Sequence, residues 1–151
     1  MRLTPDKFDQ DPDGGWRRLT ATPGCEGAIA DLLARYRVVH WGAFQEIELH
    51  MNYWHEGQAR ALAGQTEKAI PLLLAGVDPH VIGGFSDYAL ATVAFLQNDR
   101  EALKAARDRL AAVPRSPLIS AGEWPPNLKI VDSLIACFGE SYAKAYSRGC
   151  R

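Results

Sequence analysis

The stretch Trp41–Pro79, WGAFQEIELHMNYWHEGQARALAGQTEKAIPLLLAGVDP, decides how this chain folds. Phe44, Ile47, Met51, Trp54 and Ala61 recur at helical spacing, and Glu46, His50, Tyr53, Gly57 and Arg60 make a second stripe of mixed polarity. Gly64 supplies the stop, because glycine accepts the left-handed conformation that ends helices, and Thr66 stands where a hydroxyl caps the next one. The stretch predicts two helices folded back on each other at residues 63–65. The second carries Pro71 a few residues in and ends at Gly76.

Outward from this hairpin the same period continues. Before it, Ile29, Leu32, Leu33 and Tyr36 form one apolar stripe from Gly27 onward, and residues 37–40 are the best short strand the chain offers. After it, Ser86 stands as the cap of DYALATVAFL, which is apolar nearly all round and so belongs inside. Residues 98–99 turn the chain into an amphipathic helix, with Leu103, Ala106, Leu110 and Val113 on one side, that Pro114 stops. Residues 128–138 give one more helix ended by Gly139, and residues 141–147 a short last one. Residues 1–24, rich in Asp, Pro and Gly, read as an irregular N-terminal arm anchored by Phe8 and Trp16. The prediction is an all-α fold of about six helices in antiparallel hairpins, as a single domain over residues 25–151.

With 151 residues, 47% hydrophobic and 23% charged, the composition is that of an ordinary globular protein. A formal charge of -1 removes the broad positive field that nucleic-acid binders use. No apolar run approaches the roughly 20 residues that span a bilayer, and residues 1–15 lack the apolar core of a secretory signal. The expectation is a cytoplasmic protein without nucleic-acid or membrane partners, export standing as the alternative if a signal segment has been removed. Cys25, Cys137 and Cys150 show no CxxC spacing, and a bridge between the ends of the chain is the alternative to free or buried thiols.

The densest polar group is His50, Asn52, His55, Glu56, Gln58 and Arg60. His50 and His55 are five apart and diverge on a helix, unlike the i, i+4 histidines of HExxH, so a metal site at His50, His55 and Glu56 needs further ligands such as His40 or His80. Glu56 and Arg60 are spaced for an ion pair along one helix. Asp9-x-Asp11-x-Asp13-Gly14 matches the opening of a calcium loop, but Thr20 occupies the place of its bidentate glutamate. No phosphate loop, nucleophile elbow or paired-carboxylate motif is present, so no cofactor is expected and catalytic residues are assigned to none.

Tyr53, Gly57, Gly64, Ala69 and Leu73 fall at spacings that resemble a tetratricopeptide repeat, with Glu56 and Arg60 where that pattern has Leu and Tyr. A second copy is offset by 33 residues, Ala102 matching Ala69 and Pro114 closing it. The run 54–58, WHEGQ, is similar to ones in small bacterial proteins and implies no function. The repeat resemblance implies a concave groove lined by Met51, Trp54, Gln58 and Ala61. Trp124, in a proline-rich loop without a helical face, adds an exposed anchor or flap. The functional expectation is a non-catalytic module that binds a dedicated protein partner, in the manner of a chaperone or a toxin-neutralising immunity protein. Its contact surface is the mixed face of residues 41–60 together with Trp124. The alternatives are a small metal-dependent or acid–base enzyme using His50, His55 and Glu56, and a structural subunit that homodimerises through Tyr142 and Tyr146.

Overall fold

The structure is a computed structural model describing residues 3–78, 83–115 and 122–150, and all regular structure among these residues is helical. Among the described residues eight α-helices follow in order: α1 (Pro5–Asp9), α2 (Glu26–Val39), α3 (Glu46–Leu62), α4 (Thr66–Ala75), α5 (Phe85–Leu96), α6 (Arg100–Ala111), α7 (Leu128–Ala136) and α8 (Tyr142–Tyr146). Two 3₁₀ segments, Gly15–Ala21 and Trp41–Ala43, sit before and after α2. By its contacts the chain divides into two compact units, Met1–Gly76 and Val77–Arg151.

In the first unit the hairpin forms where its sequence asks for it. Gln45 and Glu48 close a capping box at the start of α3, the Glu48 carboxylate accepting the Gln45 N–H at 2.8 Å. At its end Gly64 adopts φ 73°, and the Gln65 N–H reaches back to the Arg60 carbonyl at 2.8 Å. The cap of α4 falls on Gln65, one residue before the expected Thr66, which is already helical. Residues 37–39, read as the best strand candidate, are the last turn of α2.

Small residues let α3 and α4 approach closely. A Cβ on Gly57 would lie 2.8 Å from Leu73 Cγ and 2.9 Å from the Leu73 backbone nitrogen, and one on Gly76 would lie 2.9 Å from Trp54. Gly57→Ala gains roughly 1 kcal/mol of helix propensity, but overpacking against a fixed backbone costs about 1–3 kcal/mol. The expected result is a net loss of about 1 kcal/mol, read from the urea midpoint. An unchanged or raised midpoint would mean the helices are not in contact here.

Residues 3–24, within the arm expected to be irregular, include helical segments and build part of the core. Pro5 at the first helical position and the Thr4 hydroxyl, which accepts the Lys7 N–H at 3.4 Å, start α1. α1 and the segment Gly15–Ala21 then deliver Phe8 and Trp16 into a cluster with Ile29, Ala30, Leu33, Tyr36 and Ala59. The Phe8 and Tyr36 rings stack with centroids 3.7 Å apart.

The second unit is built on α5 and α6. Asn98, at φ 59°, ends α5 in the same manner as Gly64 ends α3, and the Asp99 carboxylate caps α6 by accepting the Ala102 N–H at 2.9 Å. The cap of α5 is Gly84 rather than Ser86, whose hydroxyl donates instead to the Asp78 carbonyl at 3.1 Å. α7 packs on both α5 and α6, and α8 on α7. Cys137 is bridged to Cys150, 13 residues on, while Cys25 is free in the first unit. The pairing therefore lies within the second unit, not between the two ends of the chain.

Tyr88 is buried in this unit, and burial, followed by the neighbouring Tyr142 and Tyr146, holds its phenol well above the ordinary 10.0. An unfolded chain releases this proton near 10.0 and the folded one later. Stability is therefore independent of this group below pH 10.0 and falls as pH rises above it. Tyr88→Phe should flatten that decline in denaturation curves taken from about two pH units below 10.0 to about one above it. An identical decline in the variant would assign it to other groups.

Candidate functional site

α3 is packed between α2 on one side and α4 on the other, with α1 against it as well, so from Asn52 to Ala61 both of its stripes are largely covered, while Glu46 and Ile47 at its start stay exposed. Charged side chains in the covered part are consequently buried, and burial of a charge is tolerable only with partners. Glu56 has them: its Oε2 accepts from Arg37 Nη2 at 2.5 Å, and its Oε1 faces Arg60 Nη2 at 3.4 Å. Arg37 also donates to Asn52 Oδ1 at 2.9 Å and lies over the Tyr53 ring. Arg60 reaches Asp31 at 2.7 Å and Gln65 at 2.9 Å. The network ties α2, α3 and the α3–α4 turn together.

Beside Glu56 in sequence, His55 joins a second cluster, in which the buried Asp9 receives both the Trp16 Nε1–H at 2.6 Å and the His55 Nδ1 at 2.7 Å on its Oδ1. Arg17 Nη2 stands 3.4 Å from the other ring nitrogen of His55. A guanidinium cannot accept, so that nitrogen is the acceptor and the proton sits on Nδ1, donated to Asp9. Tyr36, whose hydroxyl donates to the Leu3 carbonyl at 2.5 Å, completes the hold on residues 3–17. Burial, followed by the Glu48 and Asp9 carboxylates, pushes its phenol above the ordinary 10.0.

His50, His55 and Glu56 are therefore drawn to different partners. His50 Nδ1 lies 3.0 Å from the Ala75 carbonyl, His55 is held by Asp9 and Arg17, and Glu56 by two arginines. Both ring nitrogens of His55 are engaged, leaving none to exchange a proton with a substrate. Among the described residues no three His, Cys, Asp or Glu side chains gather as metal ligands would, and His80 lies outside those residues. The calcium-like trio does not converge either: Asp9 points into the core, and Asp11 accepts the Asp13 N–H at 3.1 Å.

The residues expected to line a groove are also redistributed. Trp54 is 3% exposed and Ala61 2%, both inside the first unit, whereas Met51 and Gln58 are half-buried. Trp124 is half-buried rather than free to act as a flap, because its Nε1–H donates to the Val113 carbonyl at 2.8 Å in the second unit. Tyr142 is buried against Phe95, so of the expected dimer pair it lies inside its own unit. Tyr146 is half-buried.

What stands open is the corner between α2 and α3. Val38, Val39, Trp41 and Ile47 are 75%, 65%, 57% and 47% exposed, four large apolar side chains within ten residues. Beside them a cavity of about 310 Å³ is lined by Leu32, Arg35, Tyr36, Val39 and His40. No family model, curated protein or solved structure matches the chain. Trp41 and Ile47 fall within residues 41–60, the expected contact face, whereas Val38 and Val39 fall in residues 37–40, the best short strand candidate. A Val-Val pair immediately before His-Trp-Gly, where the helical stripe ends, was the available signal. Among the described residues no helix is long and apolar enough to cross a membrane.

Proposed function

We propose that the chain is a non-catalytic binding module that engages a dedicated protein partner through the α2–α3 corner. The observation that carries this reading is the run of exposed Val38, Val39, Trp41 and Ile47 on a structured corner. Contiguous exposed apolar surface on a folded domain marks interaction sites, and tryptophan is the residue most enriched among binding anchors. The buried pairing of Arg37 with Asn52 and Glu56, which joins α2 to α3, supports a rigid platform. The tight α3–α4 hairpin, with Gly57 against Leu73, offers a partner a packed pair of helices to dock on. A chaperone-like or immunity-like role is the form of activity this profile suggests.

The test is affinity capture from the native host with the tagged full chain and with a Trp41→Ser/Ile47→Ser variant. One stoichiometric protein retained by the parent and lost by the variant, with both baits giving the same circular dichroism melt, is the expected result. Equal retention by both would remove the corner from the interface, and the absence of any partner would overturn the binding role.

A further inference from the structure

The cavity on α2 has a chemistry of its own. Leu32, Arg35 and Val39, and with them Tyr36 and His40, follow each other at three and four residues, so it runs along one helix face for about 12 Å. Its volume of about 310 Å³ lies at the small end of the roughly 300–1,000 Å³ of ligand pockets, room for one large side chain rather than a cofactor. The lining is aliphatic and aromatic, with the His40 ring stacked on Tyr36 at 4.4 Å. Its wall is almost wholly apolar; Arg35, itself exposed, is the one fixed charge among the lining residues, and none of them is a carboxylate. Among the described residues no ion pair or hydrogen bond engages Arg35, whereas Arg37, two residues on, is fully committed to Glu56 and Asn52. The negative end of the α2 dipole at Val39 and His40 disfavours an anion at the helix end, so only the Arg35 guanidinium, about one turn earlier, offers a carboxylate a counter-charge.

We infer that this cavity receives a partner segment presenting a large apolar side chain next to a carboxylate, the side chain seated between Leu32, Tyr36 and Val39 and the carboxylate paired with Arg35. This rests on the protein-binding reading for the source of the segment. Charge complementarity selects the acid: a basic neighbour would meet Arg35 with nothing in the cavity to offset it, and a neutral one would leave the guanidinium unused.

The test is a titration of the isotopically labelled full chain, followed by amide chemical shifts, with acetyl-phenylalanyl-aspartyl amide, its asparaginyl and alanyl-aspartyl counterparts, and 3-phenylpropionate. The aspartyl peptide should move the signals of residues 32–40 and bind up to about fivefold more tightly than the asparaginyl one, the range of an exposed ion pair. The alanyl peptide should bind more weakly still. Arg35→Gln should abolish the aspartyl preference while leaving the rest of the spectrum in place. Equal binding of the first two peptides, shifts centred elsewhere, or no shift at all would overturn the assignment. Tighter binding of 3-phenylpropionate than of the peptide would overturn the peptide source in favour of a small aromatic acid. A failure here with partner capture still dependent on Trp41 sinks the cavity alone. Peptide binding with capture indifferent to Trp41 sinks the wider surface alone.

Discussion

Glu56→Ala is expected to cost the first unit about 3–5 kcal/mol, the loss found when one member of a buried ion pair is removed and its partner left uncompensated. Glu56 is 4% exposed and holds Arg37 and Arg60 together, so its removal takes the shared carboxylate from two guanidiniums in a covered site. Arg60 retains Asp31 and Gln65, whereas Arg37 keeps only Asn52 and the face of Tyr53. The damage therefore concentrates at Arg37, and a second change, Arg37→Met, should recover much of it by removing the orphaned charge. Urea denaturation of the single and double variants measures this directly. A loss below about 1 kcal/mol for Glu56→Ala would show that water reaches the network and that these pairs behave as surface ones.

Phe8→Ala should be comparably damaging, about 3–5 kcal/mol, as for other buried phenylalanines cut back to alanine. Phe8 is 2% exposed, stacked on Tyr36, and it shares α1 with Asp9, which holds His55 and Trp16. Loss of the ring thus loosens the segment that covers α3 as well as opening a cavity. An arm laid over a finished domain would behave otherwise: deletion or truncation there would change stability by no more than a few tenths of a kcal/mol, as surface substitutions do. The same urea melt, supplemented by hydrogen exchange at α3, separates the two.

The parts of the fold that the sequence showed were those written locally. Gly64 and Asn98 turn the chain because each takes a positive φ after a helix, and Asp99 caps α6 through its own side chain. Pro114 follows the end of α6, and the amphipathic face Leu103, Ala106 and Leu110 is buried as its period requires. What could not be read depends on contacts between distant positions. Arg37 and Glu56 are 19 residues apart and Asp9 and His55 are 46 apart, so the burial of these charges leaves no mark in the local pattern. Periodicity assigns polar residues to solvent, and α3 defeats it because helices cover it on two sides. The same local reading placed Trp54 at a groove, although α4 ends against it at Gly76. It also read residues 1–24 by their turn-forming letters, passing over the Thr4–Pro5 start signal that makes α1. Trp124 lacked a helical face, as read, but found the Val113 carbonyl, a partner that spacing does not encode.

The central claim is that the open α2–α3 corner, and not the buried polar network, carries recognition. It is tested most directly by calorimetric titration of the captured partner against Trp41→Ser and Asp9→Asn variants, each at a temperature where circular dichroism shows it folded. Trp41→Ser should weaken affinity by at least about 2 kcal/mol, the threshold of an interface anchor, while leaving the melt unchanged. Asp9→Asn should lower the melting temperature and leave affinity within a factor of about two. The reverse pattern, with Trp41→Ser binding as tightly as the parent and Asp9→Asn failing to bind while folded, would move the functional centre from the surface to Asp9 and His55.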